Sequence, residues 1–502
     1  MTSEHPRDRL ALALALLQLL LGLLWGGFHE IGGLITETDF YGMYAPGAQA
    51  LARGEPYDYT RSGPGLSALL ALFSAGGADL FVVAKGVAAL SLAALGLAAY
   101  VVGSRSASAQ VGLTLQGLVY LVLQRFAFVA GNDVPAAAMA WVALALLARH
   151  PRPTPRACLL AGLCAGLSFL TRYTGLALVA AVTAALLFWV RPWDLPGRLR
   201  ATGAFLGGAL LAMSPWLIAS QVWFGTPLHN KAHALIALDA FAGNGDRYDQ
   251  GLLERMEERF HSLGDVLRHD PLQLAGYYVF DFFEDANQLL QDVVLFPAYL
   301  WVGLGLVLLG TRALARRWLL GLVAFFALLA FASAALAPYQ ARYFHALVPA
   351  LLLPVAAAFA EPWTLASRAL GAFQLSMVGL AVLVIAGGSA YKTHEYLTSE
   401  PTELLGARAV LVQLGRPGER LMARKPHLGS LTGLETLGVP AGSLARVLEL
   451  ARLRGVRYLY VGPAEVKLNQ ELAPLAGAQG VPASLRLLHR HEAPKACLYA
   501  IE

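Results

Sequence analysis

Glu37 and Asp39 lie in the stretch Thr36–Tyr57, TETDFYGMYAPGAQALARGEPY, directly behind the apolar run Leu10–Trp25. A carboxylate at the mouth of a membrane helix can accept a proton from an attacking hydroxyl. An exposed aspartate, with a pKa near ~3.9, is ionised at neutral pH and ready for that task. If the attack expels a phosphate, cations must hold the departing charge. Arg61, Arg172, Lys231 and Arg342 are the candidates on the same side of the chain's layout. Tyr41, Tyr44, Asp133, Tyr173, Tyr343 and His345 are the polar and aromatic residues near them that can contact a substrate.

Each of these has a plainer reading. Thr36 and Asp39 fit a capping box, in which the carboxylate only closes a helix N-terminus. Asp133, ahead of Val134-Pro135, fits an N-cap equally well. Arg172 and Lys85 border apolar segments and can snorkel to the interface, and the tyrosines suit an interfacial aromatic belt. Lys231 suits a solvated loop. His229 and His233 are one helical turn apart, but no third ligand accompanies them, so no metal and no cofactor is expected. In the acidic stretch, Pro46 restarts a helix, Gly54 sits at its C-terminal end, and Gly63-Pro64-Gly65 turns the chain away.

These residues need elements to position them, and composition says which kind. The chain has 502 residues, 57% hydrophobic and 14% charged, with mean hydropathy +0.55. A soluble chain carries about 25% charge. The deficit indicates a polytopic membrane protein. Apolar runs close to the ~20 residues that cross a bilayer recur at 10–28, 80–102, 109–125, 134–148, 157–171, 174–190, 201–219, 292–310, 318–337, 343–360 and 370–390. That predicts eleven helical spans within residues 1–390. Arg7 and Arg9 precede the first run and no A-x-A site follows it, which reads as a retained anchor.

Basic residues in short loops mark the cytoplasmic side. On this layout Arg7, Arg9, Arg105, Arg149, Arg152, Arg156, Arg191, Arg198, Arg200, Arg312, Arg316, Arg317 and Arg368 fall there. The loops 29–65 and 220–290 and the tail fall outside. The net charge of +5 then reflects topology, and no basic patch points to nucleic acid. The excess of Arg over Lys is associated with bacterial genomes rich in G and C, so a bacterial plasma membrane is the expected location.

Residues 391–502 change character. Strand-like runs at Arg420–Ala423, Arg457–Val461, Leu485–His489 and Cys497–Ile501 alternate with helical stretches at 402–414 and 443–454, which predicts a small extracytoplasmic α/β domain. Cys158 and Cys164 lie in an apolar segment and Cys497 is alone in the tail, so no disulfide framework is indicated. No phosphate-binding glycine motif occurs, nor any repeat or inverted pair of broken helices.

The order Asp39, Tyr41, Tyr44, Ala48, Leu51, Gly54, Tyr57, Pro64 resembles the first external loop of the GT-C class of membrane glycosyltransferases, which includes the protein O-mannosyltransferases and the aminoarabinose transferases. Further similar segments are GNDVPAAA (Gly131–Ala138), LTRYTGL (Leu170–Leu176), SPWLIASQVWFGTP (Ser214–Pro227) and ARYFHALVP (Ala341–Pro349). In the tail, RKP at Arg424–Pro426 and GVRYLYV at Gly455–Val461 also match. Gly63-Pro64-Gly65 departs from the class's Pro-Pro-Leu, and Arg61 only loosely matches the basic residue ahead of it.

The resemblance implies transfer of a sugar from a polyprenyl-phosphate carrier to a lipid, glycan or protein acceptor, with inversion at the anomeric carbon. Asp39 is then the base, with Glu37 as an alternative base or an orienting group. Nucleotide sugars are absent outside the cytoplasm, so a lipid-borne donor fits a site on that face. A transporter or lipid flippase is the competing class, although it would favour charges in mid-span. A non-catalytic subunit of an envelope-assembly complex is the third reading.

Overall fold

The computed structural model describes residues 6–58, 62–189, 194–241, 250–289, 317–335, 340–360, 368–416, 418–440 and 442–502, with isolated positions between 302 and 309. The chain is predominantly helical. Among the described residues, five helical stretches are long and apolar enough to cross a membrane: Pro6–Gly27, Leu80–Ser106, Leu195–Phe224, Arg342–Ala360 and Ser376–Leu414. They coincide with the expected spans at 10–28, 80–102, 201–219, 343–360 and 370–390. The expected spans at 134–148, 157–171, 174–190 and 318–337 fall on shorter apolar helices, as do the unexpected Gly65–Ser74 and Ala232–Phe241. The span expected at 109–125 is helix Ala109–Leu123. The expected span at 292–310 lies almost entirely outside the described residues.

In chain order the membrane domain opens with α1 (Pro6–Gly27), α2 (Ala45–Ala52), α3 (Gly65–Ser74), α4 (Leu80–Ser106), α5 (Ala109–Leu123) and α6 (Asp133–Ala148). It continues with α7 (Pro155–Thr171), α8 (Leu176–Phe188), α9 (Leu195–Phe224), α10 (Ala232–Phe241), α11 (Gln250–Arg259), α12 (Leu263–His269) and α13 (Pro271–Leu289). It closes with α14 (Arg317–Ala334), α15 (Val348–Ala360) and α16 (Arg368–Thr398). Helix α4 packs on α1, α5 and α6. Its small residues Ala88, Ala89, Ala98 and Ala99 are buried and let neighbours approach closely. The crossing of α7 and α9 is tighter. A Cβ on Gly162 would lie 2.0 Å from the Phe205 carbonyl, and one on Gly208 would lie 2.1 Å from that of Leu159. Only glycine permits that contact.

Lys85 does not snorkel. Its Nζ donates to the carbonyls of Gly26 (2.7 Å) and His29 (2.6 Å) at and just beyond the end of α1.

Helix α16 continues past the expected boundary at 390 to Thr398. The tail follows with α17 (Glu403–Leu414), β1 (Arg420–Met422), β2 (Glu435–Leu437), β3 (Val456–Val461), β4 (Leu485–His491) and β5 (Ala496–Ile501). The five strands form one sheet in the order β2-β1-β3-β5-β4. β1 is parallel to β2 and β3, whereas β5 is antiparallel to β3 and β4. One face of the sheet, with Met422, Leu459, Val461 and Tyr499, packs against Val447 of the helix Leu444–Leu453. The other carries Leu404, Ala407, Leu421, Tyr458 and Leu498, and it also buries Ile31 from the acidic loop. The tail is therefore packed onto the segment that bears Asp39.

Candidate active site

The acidic loop is anchored by a buried network centred on Glu37. The Glu37 carboxylate is fully buried. Its Oε2 accepts from His29 Nε2 (2.8 Å), Gly33 N (2.8 Å) and the Tyr396 hydroxyl (2.7 Å), while Oε1 accepts from Ala130 N (2.6 Å). The other ring nitrogen of His29 donates to Glu400 at 2.6 Å. Burial alone would lower the His29 pKa, but the hydrogen bonds to Glu37 and Glu400 outweigh it and hold the imidazole up to about 9. Burial likewise works to raise the Glu37 pKa, and the His29 hydrogen bond and charge, with Tyr396 and Ala130, bring it below the usual carboxylate value. Glu37 is ionised, enclosed and saturated with donors. Its four contacts are all within the protein, an arrangement that suits an orienting group better than a base.

Asp39 is placed differently. The capping-box expectation fails, because no side-chain capping bond forms at the turn Phe40–Tyr44 that Asp39 precedes. The Thr36 hydroxyl pairs with Tyr396 at 2.6 Å instead. The Asp39 carboxylate turns to Arg342, with Oδ2 to Nη2 at 2.8 Å and side-chain exposures of 32% for Asp39 and 12% for Arg342. Arg342 Nη1 also donates to the Thr36 carbonyl (2.9 Å), and its Nε donates to Gln340 Oε1 (2.8 Å). The guanidinium thus grips the Thr36–Asp39 turn by both a backbone and a side-chain oxygen.

A second pair lies alongside. Arg172 forms an ion pair with Asp133, whose side chain makes no N-cap; α6 begins at Asp133 with Asn132 as the capping position. Tyr343 stands between the two arginines. Its ring centroid is 4.3 Å from the Arg172 guanidinium carbon and 5.5 Å from that of Arg342, and each contact favours the cation over the ring face. Asp133, Arg172, Arg342, Tyr343 and His345 line one narrow cleft, with a cavity volume of about 20 Å³. That is room for roughly one water molecule, so in this conformation the cleft is closed on itself. His345 is buried there against the Phe126 ring (4.1 Å), and neither of its ring nitrogens has a hydrogen-bond partner among the described residues.

Asn132 ties the floor together, its amide donating to Ser62 Oγ (2.7 Å) and to the Thr171 carbonyl (2.8 Å). The departure at Gly63-Pro64-Gly65 has its reason here. A Cβ on Gly63 would sit 2.0 Å from the Leu170 carbonyl, and one on Gly65 2.8 Å from the Leu170 carbonyl carbon. The turn lies directly on the backbone that leads into Arg172.

Of the remaining candidates Tyr44 reaches the floor through Ser62, and the other described ones do not line the cleft. Lys231 is paired with Glu257 at 2.8 Å, in the helical loop. Arg61 lies outside the described residues. Tyr173 packs half-buried on Phe169, 5.3 Å between ring centroids. Tyr41 and Tyr44 are buried rather than set in an interfacial belt. Tyr41 accepts a hydrogen bond from Gly32 N (3.1 Å) and stacks on His427 of the tail at 4.3 Å, and Tyr44 reaches Ser62 (3.5 Å). His229 stacks on Phe224 at 4.1 Å. The residues that local reading missed are His29, Asn132, Tyr396, Glu400 and His427. Of these only Asn132 carried a signal, inside the GNDVP segment.

No family model and no curated protein sequence matches the chain. Solved structures do. ArnT from Cupriavidus metallidurans in the apo state aligns over 98% of this chain and 97% of that one, at 14% identity and TM-score 0.58. The same protein bound to undecaprenyl phosphate aligns over the same shares, at 16% identity and TM-score 0.55. The Archaeoglobus fulgidus oligosaccharyltransferase in complex with Zn and sulfate aligns over 92% of this chain and 70% of that one, at 12% identity and TM-score 0.60. At these identities the likeness is one of architecture, and it extends from the first helix through the tail. The chain has the GT-C fold of membrane glycosyltransferases.

Proposed function

We propose that this chain is a glycosyltransferase that moves a sugar from a polyprenyl-phosphate carrier to a lipid, glycan or protein acceptor. We assign the reaction to the outer face of the bacterial plasma membrane, with the N-terminus cytoplasmic, the tail outside and the anomeric centre inverted. The observation that carries the reading is the pairing of Asp39 with Arg342, an arginine that also lines the cleft with Arg172, Asp133 and His345. A carboxylate base and a phosphate-binding guanidinium are the two groups the reaction needs, and here each occupies the other. The fold shared with a protein that binds undecaprenyl phosphate supports the same donor class.

The donor phosphate takes the Arg342 guanidinium from Asp39, so substrate binding itself releases the base. The acceptor hydroxyl then attacks the anomeric carbon and gives its proton to Asp39. The bond from that carbon to the phosphate oxygen breaks, and its electron pair stays on the phosphate. Arg342, with Arg172 behind the Tyr343 ring, stabilises the developing charge. His345 has two buried nitrogens with no partner among the described residues, a costly state that a sugar hydroxyl would relieve.

The test uses the purified protein with radiolabelled polyprenyl-phosphate sugars. A lipid-linked glycan that accumulates in cells lacking the protein identifies which donor to supply. Label should pass from the lipid to an acceptor fraction, and Arg342→Ala should slow that transfer by orders of magnitude while the protein stays folded. Transfer at the wild-type rate by Arg342→Ala would remove Arg342 from the phosphate site.

A further inference from the structure

Helix α13 (Pro271–Leu289), at the end of the 220–290 loop, has its polarity reversed. Its buried positions include two acids, Asp281 and Asp285. Its outward positions Leu272, Val279, Phe280 and Phe283 are apolar and exposed, the two phenylalanines by 70% and 69%. An open groove of about 690 Å³ follows that face, walled by Ala275, Gly276, Val279, Phe280 and Phe283. A Cβ on Gly276 would meet nothing within 4 Å. A helix that faces water turns its acids outward and its phenylalanines to the core. A contiguous exposed apolar patch marks a contact surface.

The surroundings of α13 say what the face contacts. Its inner side is fastened to the apolar helix α14. Tyr278 donates its hydroxyl to the Ala332 carbonyl at 2.6 Å, and the Phe282 ring meets Phe331 with centroids 4.7 Å apart. Both partners sit in the last turn of α14, remote from Arg317, which is the outer end in the orientation assigned above. Leu328, one turn back on α14, is itself exposed, and Leu289 closes α13 inside the membrane-domain core. The bare face therefore continues the apolar surface of the membrane domain. Yet α13 is not among the helices apolar enough to span, and Glu284 and Asn287 border its groove. A carboxylate at mid-bilayer is costly, whereas one at the headgroup level is not.

We propose that lipid of the outer leaflet covers this face, so that α13 lies in the membrane surface as an amphipathic interfacial helix. Leu272, Val279, Phe280 and Phe283 enter the acyl chains, and Glu284 and Asn287 stay with the headgroups. The 220–290 loop is then seated in the bilayer rather than held free in water. The seat also adjoins the cleft. Phe331 packs on Phe344 at 5.5 Å, and Phe344 lies in the turn Ala341–Leu347 that carries Arg342 and His345. Two ring contacts thus link the lipid-facing helix to that turn. This placement of α13 holds whether or not the chain transfers sugars.

The experiment uses the wild-type full chain in phosphatidylcholine nanodiscs, with a fraction of the lipid carrying a diazirine near the carbonyl end of one acyl chain. After illumination, mass spectrometry maps the lipid adducts. The peptide with Val279, Phe280 and Phe283 should be labelled as strongly as the α1 peptide with Leu20, Leu23 and Leu24, which are exposed near the end of α1 that leads into the acidic loop. Leu453 is exposed too, but on the tail. The α13 peptide should exceed the Leu453 peptide at least about ten-fold, because the reagent is confined to the bilayer. Labelling of α13 at the Leu453 level would overturn the proposal. Hydroxyl-radical footprinting of the same sample then separates a face open to water, which is modified, from one covered by a second copy or another protein, which is protected.

Discussion

On the proposed mechanism Asp39→Asn separates binding from chemistry, because Asp39 pairs with Arg342, the proposed phosphate ligand, and is itself the proposed base. The pair closes at 2.8 Å with Arg342 only 12% exposed and Asp39 32% exposed. For a partly exposed pair the net coupling is about 1 kcal/mol, the upper part of the range for solvent-screened bridges. Donor binding must break that coupling in the wild type and need not do so in the variant. One kcal/mol corresponds to roughly a five-fold change in an equilibrium constant. Removing a negative charge beside an anionic ligand acts in the same direction. Asp39→Asn should therefore bind undecaprenyl phosphate about five-fold more tightly or better, while turnover falls by a factor on the order of 10² to 10⁴, the scale of a lost general base. Equilibrium binding in nanodiscs and single-turnover transfer of a labelled sugar read the two effects separately. Unchanged or weaker binding would show that Asp39 does not restrain Arg342, and full turnover would move the base elsewhere.

Three other outcomes follow from the same geometry. Glu37→Gln leaves a protonated His29 in the buried network with one charge partner fewer, and should cost about 3 kcal/mol, the scale of a broken buried ion pair; thermal unfolding measures it, and an unchanged midpoint would refute the anchoring role. Gly63→Ala places a methyl group 2.0 Å from the Leu170 carbonyl, so the turn must move; we expect roughly 1–3 kcal/mol of destabilisation and impaired transfer through displaced Arg172, and a fully active, equally stable variant would show the contact to be slack. His29, held up to about 9, binds its proton more tightly folded than unfolded. Its contribution is complete below pH ~6.5, the ordinary histidine value, and is lost as the pH rises through 9; a midpoint that falls over that window in wild type but not in His29→Gln is the expected result, and parallel profiles would exclude His29 as the cause.

The parts of this site that local sequence can show are those that repeat or alternate. The long apolar runs mark the membrane helices, and the strand-like runs at Arg457–Val461 and Cys497–Ile501, set between helical stretches, become β3 and β5. Strand β2, Glu435–Leu437, is too short to show a period. Asp39 and Arg342 stand out because both are charges set at the ends of apolar segments. Glu37 has the same local appearance as Asp39, and only burial separates them. Its partners His29, Ala130 and Tyr396 come from three distant segments, so no window of sequence contains the network. The Thr36–Asp39 capping pattern fails for the same reason. A short polar side chain caps a helix when nothing better competes, and Arg342 competes from the far end of the membrane domain.

The closure between His29, Glu37, Tyr396 and Glu400 also bears on biogenesis. The loop with Asp39 leaves the ribosome early, yet the groups that fix its shape belong to the end of the last membrane helix and to the domain beyond it. Until α16 and the segment at Glu400 have been made, the loop lacks the Tyr396 and Glu400 contacts that shape it. Translation order thus gives the chain a built-in delay: an unfinished copy carries Asp39 and Asp133, but not the clamp that holds the acidic loop in place.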